Sequence, residues 1–464
     1  MAYRVPQLEI PDDDPFRNDA LERKPVVNFL AGLIGRIDEP FVLALDSPWG
    51  TGKTVLIKML EAELKRQEYS CIYFNAWQVD YITDPLVALV SCIDRVKLGV
   101  EGGVEATFKE HMKKVRKVTS LVAKRTTIAA AKVLTAGALD LDSEIEDAVI
   151  EFAGDSVSDI VESFQNESLL LDKFRAELEG AIKLLPASGK KSTLVFFVDE
   201  LDRCRPTFSI ELLERIKHLF DIPNILFVLS LDKQQLEASI MAVYGQGINS
   251  AEYLRRFIDL EYLIPTIKAK QFVENLFKRF ALDEIFVQRT HHELQSDKSN
   301  FISFFASLAE AVPLTLRAQE RCLTRLRVVM DQTPIDHYLE PILVALLIVL
   351  KTSQPDLFAR LSRGDATAKD VMAYLNDLPS GKEVVAGKQG ILIEAYLISS
   401  DNNYERKEKV IGNLTALANN PGTPEIKDSA AQLLQMIQNL TRGTRDISFS
   451  HVSRKIDLAA WIKD

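Results

Sequence analysis

Five short apolar runs mark the first part of this chain, at 41–45, 71–74, 194–198, 225–231 and 257–263. Between them, and at 26–37 before the first, apolar residues recur at the spacing of a helix with one buried face. Strands that read as continuous apolar runs are those buried on both faces, and their alternation with helices predicts a parallel sheet with helices on each side. The expected fold class is therefore α/β. From about 266 to the end helical spacing takes over, punctuated by Gly and Pro near 313, 334, 379–381 and 421–424, with no detectable repeat.

Two stretches fall outside this rhythm. Residues 1–20 contain Pro and three consecutive aspartates at 12–14, and read as an extended lead-in. Residues 96–190 separate the second and third strands, where a crossover needs only about a dozen residues, so an inserted helical element is expected. Its first half is basic (Lys109, Lys113, Lys114, Arg116, Lys117, Lys124, Arg125, Lys132) and its second acidic (Asp140, Asp142, Glu144, Glu146, Asp147). Small apolar residues such as Ile128, Ala129 and Val133 lie between, a layout suited to helices that pack on each other or on a partner protein. Because all five apolar runs lie outside it, the segment at 100–185 is expected to be removable without loss of the sheet.

Composition narrows the class. With 464 residues, 47% hydrophobic and 26% charged, the chain is long enough for two or three folded domains. A net charge of −10 argues against a surface devoted mainly to nucleic acid. The four cysteines, Cys71, Cys92, Cys204 and Cys322, have neither metal-ligand nor redox spacing, and the histidines offer only the adjacent His291 and His292. Together with the lack of a signal-like start or of about 18 consecutive apolar residues, this predicts a cytoplasmic protein without a membrane span.

Chemistry enters where the first strand runs into DSPWGTGKTVLIKMLEAEL. A strand-to-helix turn carrying Ser47, Pro48, Trp49, Gly50, Thr51, Gly52, Lys53, Thr54 and Val55 has the parts needed to bind a triphosphate. Glycines let the backbone N–H groups point inward, and the helix N-terminus adds positive potential. The Lys53 ammonium reaches the β- and γ-phosphates, and the Thr54 hydroxyl ligates Mg²⁺. The general pattern G-x-x-x-x-G-K-[ST] calls for glycine where this chain has Ser47, and a serine held at positive φ would cost more than glycine.

A second site follows the third strand, in STLVFFVDELDRCRP. There Asp199 is expected in the Mg²⁺ shell and Glu200 as the group that orients and deprotonates the attacking water. Trp77, after the second strand beside Asn75, is expected to be a buried structural residue, and Cys204 a packed small residue without a reactive role.

These residues resemble the KAP P-loop nucleoside triphosphatases, in the additional-strand, catalytic-glutamate division of P-loop proteins. PWGTGKT is similar to that family's W-G-x-G-K-[ST] loop, FNAWQVDYITDPLVALV to its F-N-A-W segment, and DELDRCRP to its D-[DE]-L-D-R-C motif. NILFVLSLDKQQLEASIMAVYG, YLRRFIDLEYLIP, LTLRAQERCLTRLRVV and LVALLIVLKTSQPDLFARL resemble the later strands and helices. The resemblance covers about 20–95 and 190–360. It implies a P-loop domain at 21–95 and 191–265, the insertion at 96–190, a helical subdomain at 266–360 and an unmatched helical region at 361–464.

It further implies a sheet of order 5-1-4-3-2, whose fourth strand ends at the γ-phosphate. Ser230 or Asp232 is then the candidate polar sensor, Asp232 being equally suited to cap the helix that begins at Lys233. Arg317 is a candidate phosphate contact or a solvated helix charge, and Arg255 and Arg256 are either arginine fingers acting in trans or surface ion pairs.

The function implied is Mg²⁺-dependent ATP hydrolysis that drives a conformational change in a partner assembly. Bacterial members of the family are often tied to phage defence, and others are membrane scaffolds with spans in the insertion. The competing readings are a nucleotide-binding scaffold or switch with little turnover, and a DNA-associated ATPase, which rests on the basic stretch alone. Partners are expected to be proteins or a second copy of the chain, bound through 96–190 and the C-terminal helices.

Overall fold

The computed structural model describes residues 9–95, 100, 102–123, 158–265, 268–289, 296–337, 339–419, 424–441 and 449–457. Lys124, Arg125, Lys132, the acidic stretch at 140–147 and the His291–His292 pair lie outside them. The chain divides into two compact units, Leu8–Pro265 and Thr266–Asp464.

In the first unit the elements run α1 (Lys24–Ile34), β1 (Phe41–Asp46), α2 (Lys53–Arg66), β2 (Ser70–Asn75), α3 (Ala76–Val79), α4 (Pro85–Arg95), α5 (Glu105–Ala123), α6 (Ser158–Ile182), β3 (Leu194–Asp199), α7 (Pro206–Leu219), β4 (Ile225–Leu231), α8 (Lys233–Tyr244), α9 (Ser250–Leu254) and β5 (Leu260–Leu263). The five strands are parallel and ordered β2-β3-β4-β1-β5, the arrangement that the resemblance implied. Register aligns their C-terminal ends: Asn75 pairs with Asp199, Asp199 with Ser230, and Ser230 with Leu45. That alignment puts every polar strand end along one edge of the sheet.

Both faces of β1 to β4 are buried, which is why those strands read as unbroken apolar runs, whereas the edge strand β5 is largely exposed. One face carries Val42, Ala44, Ile72, Phe74, Phe196, Val198, Phe227 and Leu229, and α7 covers it with Phe208, Leu212, Leu213 and Ile216. The alternate residues Leu43, Leu45, Cys71, Val195, Phe197, Leu226 and Val228 meet Val27, Leu30 and Ile34 of α1 and Leu56, Ile57 and Leu60 of α2. The fifth strand starts at Leu260 rather than 257, because Phe257 and Ile258 are buried in the preceding turn and prolong the apolar run without extending the ladder.

The insertion is not a detached module. Helix α6 buries Phe174, Leu178, Ala181 and Ile182 in the same cluster as β3 and α7. Phe174 meets Phe220 edge-on at 5.6 Å, and Phe220 in turn meets Phe196 and Phe227. Helix α5 packs back on α6 through Met112, Val115 and Val118. Their approach is close at Gly180, where a Cβ would stand 2.7 Å from His111 Cε1, and His111 Nδ1 lies 2.6 Å from Glu177. The expectation that 100–185 can be removed without touching the sheet fails at α6, whose apolar face is part of the cover.

The second unit is built of helices, among them α10 (Ala269–Arg279), α11 (Leu282–Val287), α12 (Asp297–Ala311), α13 (Leu316–Asp331) and α14 (Pro341–Ser353). Helix α14 buries every side chain from Leu343 to Leu350, the mark of a helix at the centre of its bundle. Phe301 stacks on Phe305 at 5.5 Å, and Phe277 meets Phe301 at a tilt at 5.9 Å. Among the described residues no helix is long and apolar enough to cross a membrane.

Candidate active site

The phosphate loop leaves β1 at Asp46 and enters α2 at Lys53. Gly50 (φ 79°) and Gly52 (φ 88°) are left-handed, the conformation that L side chains avoid and glycine adopts freely. Ser47 is not among the left-handed residues, so the cost expected from its departure from glycine does not arise. Serine instead contributes a brace. The Ser47 N–H donates to Leu231 O at 3.2 Å, its hydroxyl donates to Thr51 Oγ1 at 2.7 Å, and Thr51 Oγ1 donates to Pro48 O at 2.9 Å.

The buried Arg23 adds a second brace, donating to Thr51 O at 3.3 Å and Pro265 O at 3.0 Å, with burial lowering its pKa. Lys53 Nζ folds back onto the loop, donating to Ser47 O and, at 3.2 Å, to Pro48 O. Burial lowers its pKa, against the opposing pull of Asp202, Asp232, Asp199 and Asp46. Val55, in the first turn of α2, packs on the helix-covered face of the sheet.

Across from the loop, Asp199 ends β3 almost fully buried. Its Oδ2 accepts from Thr54 Oγ1 at 2.8 Å and from Tyr73 OH at 2.9 Å, and its Oδ1 from the Glu200 N–H at 3.0 Å. Burial raises the Tyr73 pKa first, and the adjoining Asp199 charge raises it further, so its phenol stays a donor. Glu200 is a non-glycine residue in the left-handed region (φ 60°), a strain that costs about 1–3 kcal/mol and is retained where surroundings enforce it. Its Oε2 accepts from Asn75 Nδ2 at 3.0 Å, and its Oε1 pairs with Arg203 Nη1 at 2.7 Å. Asn75 also caps α3, accepting from the Gln78 N–H.

Asp232 caps α8, accepting from the Gln235 N–H at 3.4 Å with Oδ1, while its Oδ2 accepts from the Trp49 N–H at 3.2 Å. Both oxygens thus fasten backbone, which favours the cap over the sensor for this residue. Ser230, paired with Asp199 on the neighbouring strand, is fully buried and its hydroxyl makes no hydrogen bond with the described residues. Asp202 anchors the loop from the other side, its Oδ2 accepting from Trp49 Nε1 at 2.5 Å and from the Asp232 N–H at 3.0 Å, and burial raises its pKa.

One of the readings made from the residues changes here. Trp77 is 51% exposed rather than buried, and its ring lies 5.7 Å from the Arg203 guanidinium, which also lies 6.0 Å from the Trp49 ring. Cys204 is packed as expected, its thiol pushed up to about 12 by burial. Arg255 is exposed and pairs with Glu252 at 2.9 Å, and Arg256 lies over the Tyr253 ring. Arg317 belongs to the second unit, in the first turn of α13, where its charge acts on Glu320.

Tyr73, Arg23, Asp202 and Arg203 had no assigned part in the site from sequence. The signal for Tyr73 is a phenol inside an otherwise apolar strand; the others become neighbours only through the topology.

A parallel sheet with this loop after its first strand and this acidic pair after its third defines a P-loop nucleoside triphosphatase. The model of the KAP family P-loop domain matches residues 23–332, more than half of the chain, and the chain belongs to that family. A search among curated proteins matches nothing. Among solved structures the chain is similar to the ORC2 protein of Aeropyrum pernix in its ADPNP-ADP complexes, at 12% identity and a TM-score of 0.35, over 94% of this chain and 95% of that one.

Proposed function

We propose that this chain is a Mg²⁺-dependent ATPase whose cycle drives a conformational change in a protein partner or a second copy of itself. The observation that carries this reading is the 2.8 Å contact between the Thr54 hydroxyl and Asp199, with Lys53 on one side of it and Glu200 on the other. Thr54 and Asp199 supply hard oxygen ligands, one of them a buried carboxylate already serving two hydroxyl donors, and this donor set suits Mg²⁺. When bound, the ion neutralises charge on the β- and γ-phosphate oxygens.

Each residue then has a task. Lys53 turns from the carbonyls of Ser47 and Pro48 to the bridging phosphates, and the N–H groups from Gly50 to Val55 surround them. Glu200 orients the attacking water and takes its proton. Ser230, with a buried hydroxyl in need of a partner, is the better sensor of the fourth strand, and Asp232 holds the loop.

The partner is expected at the insertion and the C-terminal helices, and bacterial anti-phage defence in the cytoplasm is the setting that the family suggests. A second reading, a nucleotide-binding switch with little turnover, draws support from one contact, the ion pair that ties Glu200 to Arg203.

Phosphate release from ATP and Mg²⁺, measured on the full chain with and without DNA, tests the proposal. Turnover that DNA leaves unchanged and that Glu200→Gln lowers by about 10²–10⁴-fold supports it. ATP binding without turnover, under all conditions and with wild-type behaviour of Glu200→Gln, selects the switch. Turnover that depends on DNA selects the third reading.

A further inference from the structure

A cluster beside the site that this reading does not use brings two tryptophans to one arginine. Trp49 is 42% exposed and Trp77 51% exposed, unusual for the largest apolar side chain, and they come from different segments. Trp49 belongs to the phosphate loop. Trp77 belongs to α3, directly after Asn75. The Arg203 guanidinium lies within cation–π reach of both rings, 6.0 Å from Trp49 and 5.7 Å from Trp77, and its Nη1 is 2.7 Å from Glu200 Oε1.

The indole of Trp49 is itself fixed, its ring nitrogen donating to Asp202 and its main-chain N–H to Asp232. The residue after it is Gly50, in the left-handed region. A chain of direct contacts therefore runs from the loop that receives the triphosphate, through Trp49 and Arg203, to Glu200.

We propose that Arg203, within cation–π reach of both Trp49 and Trp77, is a positioning residue that restrains Glu200 until a triphosphate fills the phosphate loop. The proposal deepens the ATPase reading and rests on Glu200 being the base. Both Glu200 oxygens are engaged, Oε2 by Asn75 and Oε1 by the cation, so two partners hold the carboxylate in place, and loosening one lets it turn toward the attacking water. Binding of phosphates draws the loop N–H groups inward and shifts Trp49. Arg203 loses one of its two ring contacts, and the ion pair to Glu200 loosens with it. Arginine suits this place because its flat guanidinium can engage aromatic rings while its edge hydrogen-bonds, which a lysine ammonium cannot do.

The test has two arms on the full-length chain. In the first, kcat and KM for ATP are measured for the wild type, Arg203→Gln, Arg203→Lys and Trp77→Leu. The expected result is a kcat about two- to fivefold higher in Arg203→Gln at unchanged KM, the range spanned by a partly exposed ion pair, with Trp77→Leu and Arg203→Lys in between. In the second, acrylamide quenching of tryptophan fluorescence is followed in a Trp461→Phe background, which leaves Trp49 and Trp77 as the only emitters. A non-hydrolysable ATP analogue is expected to increase quenching, and to add no increment when Arg203→Gln has already opened the cluster. A kcat that falls or stays level in Arg203→Gln, a change confined to KM, or quenching indifferent to the analogue would each overturn the proposal. If Glu200→Gln turns over at the wild-type rate the base assignment fails, and the quenching arm still decides whether the cluster senses nucleotide. Arg203→Lys, which keeps the charge, stands in for Arg203→Gln should the latter not fold.

Discussion

Thr54 Oγ1 and Tyr73 OH converge on the same oxygen of Asp199, at 2.8 and 2.9 Å, so a residue of the phosphate loop helix and one of the second strand share one buried carboxylate. The sharing fixes the rotamer of Asp199 from both sides. Tyr73→Phe removes a single hydrogen bond and leaves the ring in place. We expect the Mg²⁺ concentration for half-maximal ATP binding to rise by about 10–100-fold, as when a group that orients a metal ligand is lost. A thermal melt should show a cost of about 1–3 kcal/mol for the under-satisfied carboxylate. Unchanged Mg²⁺ dependence would mean that Thr54 alone holds Asp199.

Lys53→Ala keeps the loop N–H groups and removes the ammonium that rests on Ser47 O and Pro48 O. Calorimetric titration is expected to show a severe loss of ATP affinity in a protein that still melts cooperatively. Wild-type affinity in that variant would remove the phosphate loop from the site.

Glu200→Gln and Asp199→Asn should separate. The first keeps ATP binding and loses turnover by about 10²–10⁴-fold, and the second loses the Mg²⁺ dependence of binding. The comparison is read from phosphate release and from titrations with and without Mg²⁺. Identical phenotypes would show that the two carboxylates do not divide the roles.

The sheet was legible because strands buried on both faces leave an unbroken apolar signature, and the loop because its glycines and its lysine sit at fixed spacing on a strand-to-helix turn. What could not be read is what the fold brings together over long separations. Asn75 and Glu200 are 125 positions apart, and Trp49 and Asp202 are 153 apart. Trp77 misled because burial is the commoner state of tryptophan, whereas here one face of the ring serves Arg203 and the rest meets solvent. The charge pattern of the insertion drew attention to its polar faces, and the core contribution of α6 rests on Phe174 and Leu178, which look like any amphipathic helix.

Ser47→Gly restores the general loop pattern and is expected to weaken the protein. The serine backbone is not left-handed, so glycine relieves no strain, while the hydrogen bond from Ser47 Oγ to Thr51 Oγ1 is lost. Loss of about 0.5–1.5 kcal/mol for the hydrogen bond, plus about 0.5–1 kcal/mol for glycine's greater freedom in the unfolded chain, should appear as a lower urea midpoint. A more stable variant would show that serine strains the loop after all.

The insertion gives the last prediction, and it reverses what its charge pattern implied. Phe174 is 1% exposed and sits edge-on to Phe220, which touches Phe196 of β3 and Phe227 of β4. Phe174→Ala should therefore cost about 3–5 kcal/mol, comparable to a substitution in the sheet itself. Glu110→Ala, on a solvent-facing position of α5, should stay within about 0.5 kcal/mol. Removing 100–185 strips Met112, Val115, Phe174 and Leu178 from the face that carries Phe196 and Phe227, and leaves an apolar surface where none was exposed. The shortened chain is expected to aggregate or to unfold well below the wild-type midpoint, and to bind ATP poorly for that reason. Urea unfolding of the two point variants, with light scattering and ATP titration of the deletion, reads all three outcomes. A deletion that stays monodisperse, melts with the wild type and keeps its ATP affinity would restore the insertion as a detachable module.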